Sequence, residues 1–169
     1  MNRRDLLSHL FRLAPLALLP APAFSAAAAG DKPVLNKSKK DWQALLPDAS
    51  YRVLFEEATE PPGSSALNHE TRKGTFVCAA CKLPLFDSAH KFDSGTGWPS
   101  FWQPLDGGIS RKTDFLLVIP RTEYHCSRCG GHQGHVFDDG PAPSGKRYCN
   151  NGVALNFVPT GQALPALVK

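Results

Sequence analysis

The 169-residue chain lacks a long apolar run. Its most hydrophobic stretch, Leu13 to Phe24, is short and broken by Pro15, Pro20 and Pro22, which argues against a bilayer-spanning helix. It also lacks a strong charge of either sign. The formal net charge is +4, and half of it sits in residues 1–26 through Arg3, Arg4 and Arg12 against Asp5. The remainder is too mild to attract nucleic acid or a membrane surface by electrostatics. No alternation of strand and helix patterns suggests a βαβ unit, and no internal repeat stands out. What the chain has in quantity is turn residues, 15 prolines and 14 glycines. They favour short strands over long helices.

The length fits one domain. Residues 1–30 read as an export signal: Arg3-Arg4, an apolar middle, then Ala26-Ala27-Ala28. The paired arginines suggest the twin-arginine route and a bacterial periplasmic destination. Residues 31–37 form a linker, and 38–169 the domain. Ser38 is placed to cap a helix through Leu46, with Trp42, Leu45 and Leu46 on one side and Pro47 ending it. Tyr51 to Ala58 is a second helix-like stretch. Strand patterns follow at Gly74–Val77, Asp114–Ile119, Tyr124–Cys126, His135–Phe137, Arg147–Asn150 and Ala154–Val158. The expected fold is mainly β, a small antiparallel domain with short N-terminal helices packed on it.

Five cysteines divide into four and one. Cys78 and Cys81 form one C-x-x-C pair, and Cys126 and Cys129 a second. Two such knuckles can converge on a tetrahedral structural zinc ion. Two disulfides are the alternative in an oxidising compartment, and a redox C-x-x-C is a third that lacks its βαβ context. A zinc ribbon that binds protein or nucleic acid would share the knuckles, but no basic-aromatic stripe accompanies them.

Cys149 has no partner in this scheme and is a candidate nucleophile. Nearby histidines, Arg147 and the amides of Asn150 and Asn151 are expected to lower its pKa. Upstream, His132 and His135 lie three apart and precede Asp138-Asp139. They suit either acid–base work or support of the metal knuckle. In Ser94-Gly95-Thr96-Gly97-Trp98-Pro99-Ser100-Phe101, the aromatics suit either an exposed face for a sulfur-bearing group or the core.

Taken together, these stretches resemble the peptide-methionine (R)-S-oxide reductases, the methionine sulfoxide reductases of the B type. The resemblance runs from about Trp42 to Pro159. It includes Thr59-Glu60-Pro61-Pro62, both knuckles, Gly97-Trp98-Pro99-Ser100-Phe101, Gly134-His135-Val136-Phe137, Asp139-Gly140-Pro141 and Arg147-Tyr148-Cys149. It implies two antiparallel sheets, with a structural zinc ion on Cys78, Cys81, Cys126 and Cys129 away from the active site. It implies Cys149 as the nucleophile on the sulfoxide sulfur. His132, His135 and Asp139 become a polar pocket for the sulfoxide oxygen, and Asn151 and Arg147 flank it. Trp98 is implied as the wall against the substrate methyl group, with Phe101 beside it.

The implied activity is repair of oxidised protein or peptide methionine by a monomer. It leaves a sulfenic acid on Cys149, reduced by a thioredoxin-like or other thiol donor. Many members of the family resolve that acid with a second cysteine, often where this chain has Thr96. With four cysteines committed to zinc, an external thiol is expected to reduce Cys149 directly.

Overall fold

The structure is a computed structural model and describes residues 35–114 and 121–169. The export signal expected at residues 1–30 lies outside the described residues, as does most of the strand expected at Asp114–Ile119. Among the described residues, no helix is long and apolar enough to cross a membrane.

Helix α1 spans Lys39–Leu45. Ser38 caps it as expected: its Oγ accepts from the Asp41 amide at 3.2 Å, and Asp41 returns the contact to the Ser38 amide. Trp42 is buried and stacks on Phe55 at 5.3 Å. Leu45 does not share that face and is 60% exposed, because a seven-residue helix buries only a narrow stripe. Helix α2, Asp48–Glu56, buries Tyr51, Val53 and Leu54. It ends on Glu57 in the left-handed conformation, before the Pro61-Pro62 pair.

The strands are β1 (Gly74–Cys78), β2 (Pro84–Asp87), β3 (Lys91–Phe92), β4 (Ser100–Phe101), β5 (Ile109–Asp114), β6 (Arg121–Cys126), β7 (His132–Phe137), β8 (Arg147–Asn150) and β9 (Leu155–Pro159). They form a three-stranded sheet in the order β2-β1-β9 and a six-stranded sheet in the order β3-β4-β8-β7-β6-β5. Among the described residues every pairing is antiparallel, which agrees with the expected fold class.

An aromatic layer joins the sheets. Phe76 and Phe86 come from the small sheet, and Phe101, Tyr124 and Tyr148 from the large one. Phe101 stacks on Phe86 at 4.2 Å and meets Phe76 edge-on at 4.9 Å. Tyr124 meets Tyr148 at 5.5 Å.

Period-two alternation then decides where the chemistry goes. Cross-strand partners share a face, so Ser100, Cys149, His135, Glu123 and Lys112 form one row across five strands. Phe101 pairs with Tyr148 on the opposite, buried face. It is a core residue, not the substrate contact expected of it. Phe101→Ala should therefore cost about 3–5 kcal/mol in urea unfolding. A residue that served only to bind substrate would raise KM and leave the unfolding midpoint in place.

Candidate active site and metal centre

Each knuckle is the turn of a hairpin. Cys78 ends β1, and the chain turns through Cys81 and Lys82 into β2, closed by Cys78 N–H donating to the Leu83 carbonyl at 2.8 Å. Lys82 takes a φ of 65° there. Cys126 ends β6, and the turn through Cys129 and Gly130 leads into β7, closed by Cys126 N–H on the Gly131 carbonyl at 2.9 Å. Gly130 has φ 71° and supplies the left-handed residue of this turn.

The sulfurs meet across the hairpins, Cys78 to Cys129 at 3.7 Å and Cys81 to Cys126 at 3.4 Å. All four Sγ atoms lie within 4.8 Å of one another. A tetrahedral ion at about 2.3 Å from each thiolate needs such a spacing, and a disulfide would need about 2.05 Å. All five cysteines are free, and the close sulfur contacts run across the two knuckles, Cys78 to Cys129 and Cys81 to Cys126. Four sulfurs this close can all be thiolates only with a cation between them. The four cysteines fit a metal ion.

Cys149 lies mid-strand in β8, half-buried, between Ser100 and His135. It opens on a cavity of about 250 Å³ whose lining includes Trp98, Arg121, His135, Phe137 and Asn151. Gly134 allows β7 to approach: a Cβ there would stand 1.9 Å from the Cys149 carbonyl oxygen.

The other expected residues are placed less directly. Arg147 is two positions before Cys149 and forms a bidentate pair with Asp139, 2.8 Å on each arm. Its guanidinium stacks over Phe137 at 4.4 Å. Asp139 holds Arg147, and Arg147 in turn holds the Asp139 carboxyl below its ordinary range. His132 is buried behind the cavity, edge-on to His135 at 5.4 Å. Desolvation lowers its pKa to about 4, helped by the nearby His125 and His135, which leaves it neutral near pH 7. Asn151 has both amide groups engaged with backbone: Oδ1 accepts from Glu60 N–H and Nδ2 donates to the Gln133 carbonyl, each at 3.0 Å.

Two residues that organise the site had no role in the sequence reading. Glu60 is buried. Its carbonyl accepts from the Trp98 indole at 3.1 Å, its N–H meets Asn151, and its carboxylate caps the turn after β8 through the amides of Gly152 and Val153 at 2.5 and 3.0 Å. A carboxylate beside Pro61-Pro62 was the available signal. Gln133 is fully buried and donates to Cys78 Sγ at 3.6 Å. Its oxygen accepts from Asn150 Nδ2 at 3.4 Å, and Asn150 accepts from the Tyr124 hydroxyl at 2.8 Å. The sulfur cluster is thereby tied to the strand that carries Cys149.

Residues 46–159 match the SelR domain. The chain is 49% identical over 124 residues to the peptide methionine sulfoxide reductase MsrB of Leptospira interrogans, covering 73% of this chain and 95% of that protein. It is 49% identical over 124 residues to the MsrB of Methanosarcina barkeri, covering 73% and 87% of the two chains. With the MsrB of Agrobacterium fabrum it shares 46% over 128 residues, covering 75% and 95%.

The chain belongs to this family.

The matched span takes in both knuckles, the Trp98 loop and Cys149, so the resemblance seen in the sequence holds over the whole described site.

Cys149 itself departs from expectation. Burial raises its pKa, and the opposing pull of Arg147 and of the Thr96 hydroxyl does not cancel that rise. The thiolate fraction therefore grows with pH above the range of a free cysteine. Alkylation of Cys149 by iodoacetamide should show a midpoint above that of free cysteine, and Arg147→Met should move it higher still. A midpoint unmoved or lowered by that substitution would contradict this electrostatic arrangement.

Proposed function

We propose that this chain reduces methionine (R)-sulfoxide in oxidised proteins and peptides, with Cys149 as the nucleophile. One observation carries the reading: the single cysteine outside the four-sulfur cluster faces a cavity whose other walls include an indole, an imidazole and an amide. The substrate's methyl group packs on Trp98, which is held by its hydrogen bond to Glu60. The sulfoxide oxygen points towards His135, the cross-strand neighbour of Cys149. His135 supplies the proton, since buried His132 is held neutral. His132 supports the His135 ring, Asp139 and Arg147 set the charge beside the thiolate, and Asn151 fixes Glu60 against β7.

The Cys149 thiolate attacks the sulfoxide sulfur as the oxygen is protonated. In the resulting adduct the S–O bond and the new S–S bond both break as the hydroxyl joins the Cys149 sulfur, leaving one electron pair on the methionine sulfur and a sulfenic acid on Cys149. One external thiol then displaces that hydroxyl as water and forms a mixed disulfide. A second thiol on the donor releases Cys149 and leaves the donor oxidised. Thr96 stands next to Cys149, near enough for its hydroxyl to favour the thiolate, and cannot form a disulfide. That supports direct regeneration by a thioredoxin-like or similar donor. A zinc ion on Cys78, Cys81, Cys126 and Cys129 would supply a structural clamp and no step of the reaction. The paired arginines and apolar stretch of residues 1–30 support export to a periplasm, where the donor would be a membrane-fed thiol carrier.

With dithiothreitol, the chain should consume only the R epimer of dabsyl-methionine sulfoxide, and Cys149→Ser should abolish turnover while keeping the fold. After one turnover without reductant, dimedone should add to Cys149. Consumption of the S epimer, or a stable disulfide from Cys149 to a knuckle cysteine, would refute the reading.

A further inference from the structure

We propose that Glu123, His125 and His132 form a second metal site, for a divalent transition-metal ion, distinct from the four-cysteine cluster. Glu123 and His125 lie two apart on β6 and share a face. A bulge between Tyr124 and His125 sets His132 of β7 directly across from His125. One ligand atom from each of the three residues lies within 4.8 Å of the others. His125 Nε2 is 3.0 Å from Glu123 Oε1, and His132 Nδ1 is 3.3 Å from Glu123 Oε2.

The orientation of His125 points to a cation. Its Nδ1 is 3.0 Å from the Gly130 carbonyl oxygen, which can only accept, so Nδ1 donates there. That contact turns Nε2 towards a carboxylate oxygen 3.0 Å away, where an ion would be shared by the two. Neither approach to Glu123 is aligned as a hydrogen bond. His125 Nε2 and both nitrogens of His132 are buried and make no hydrogen bond, and His132 is 1% exposed. Buried nitrogens left in that state are costly.

Two imidazoles and a carboxylate are a ligand set for zinc or another first-row ion, with further positions open to water. The bond from His125 Nδ1–H to a backbone carbonyl is the outer contact that orients such ligands. Lys112 already brings positive charge to this spot, 3.2 Å from Glu123 Oε1. Its side chain is 64% exposed, so an ion can displace it into solvent.

The test uses the metal-loaded chain carrying Cys149→Ser, which removes the one thiolate outside the cluster. Titration with Zn2+ by calorimetry should show a second ion binding. His125→Leu and Glu123→Gln should each weaken that step by about tenfold or more. Co2+ added in place of Zn2+ should give ligand-field bands without new sulfur charge transfer. Failure to bind a second ion, or binding undiminished in either variant, would overturn the site and leave a proton shared by Glu123 and His125. Because no turnover is measured, the outcome is independent of the proposed reductase activity.

Discussion

Four sulfur atoms from two hairpin turns must meet at one point, one turn belonging to each sheet. That constraint sets the two sheets against each other at the end where β1 and β6 finish. The aromatic layer of Phe76, Phe86, Phe101, Tyr124 and Tyr148 fills the space between them. Gln133 extends the cluster's influence through Asn150 to the strand of Cys149. A metal held by the four thiolates would couple folding to binding, since the unfolded chain has no preformed site. It would also engage four sulfurs and leave Cys149 as the one uncommitted thiol.

Alternation along the large sheet does the rest. One face carries Phe101 and Tyr148 into the core, and the other carries Ser100, Cys149, His135 and Glu123 in a row. Cys149 and His135, the nucleophile and acid of the proposed reaction, are therefore next to each other by register and do not depend on a flexible loop. Burial works against the thiolate, and Arg147, held by Asp139, works for it. Glu60 gathers Trp98, Asn151 and the turn after β8 around one buried residue. The cavity wall and the strand of Cys149 are thus positioned by the same residue.

Much of this was legible before any coordinates. Two C-x-x-C pairs and a lone cysteine specify their chemistry through residue type and spacing, and Ser38 with Asp41 marks a helix start through local hydrogen bonding. The short strands β2, β3 and β4 carry too few residues to show a period, and β5, polar at every position after Ile109, has no apolar alternation, so none of the four is among the expected strands. The face of Phe101 was misjudged because a two-residue strand gives no alternation to read, and its side is set by pairing with Tyr148. Glu60 and Gln133 act through backbone groups and sulfur that are distant in sequence, so no spacing announces them. The rise in the pKa of Cys149 depends on burial, which composition around a cysteine does not reveal.

The most direct test is a joint metal and thiol count on the native chain. Elemental analysis should find zinc held with four sulfurs, and Ellman's reagent under native conditions should titrate one thiol, lost in Cys149→Ser. A metal-free chain with its knuckle cysteines paired as disulfides, or a native thiol that survives Cys149→Ser unchanged, would contradict the account.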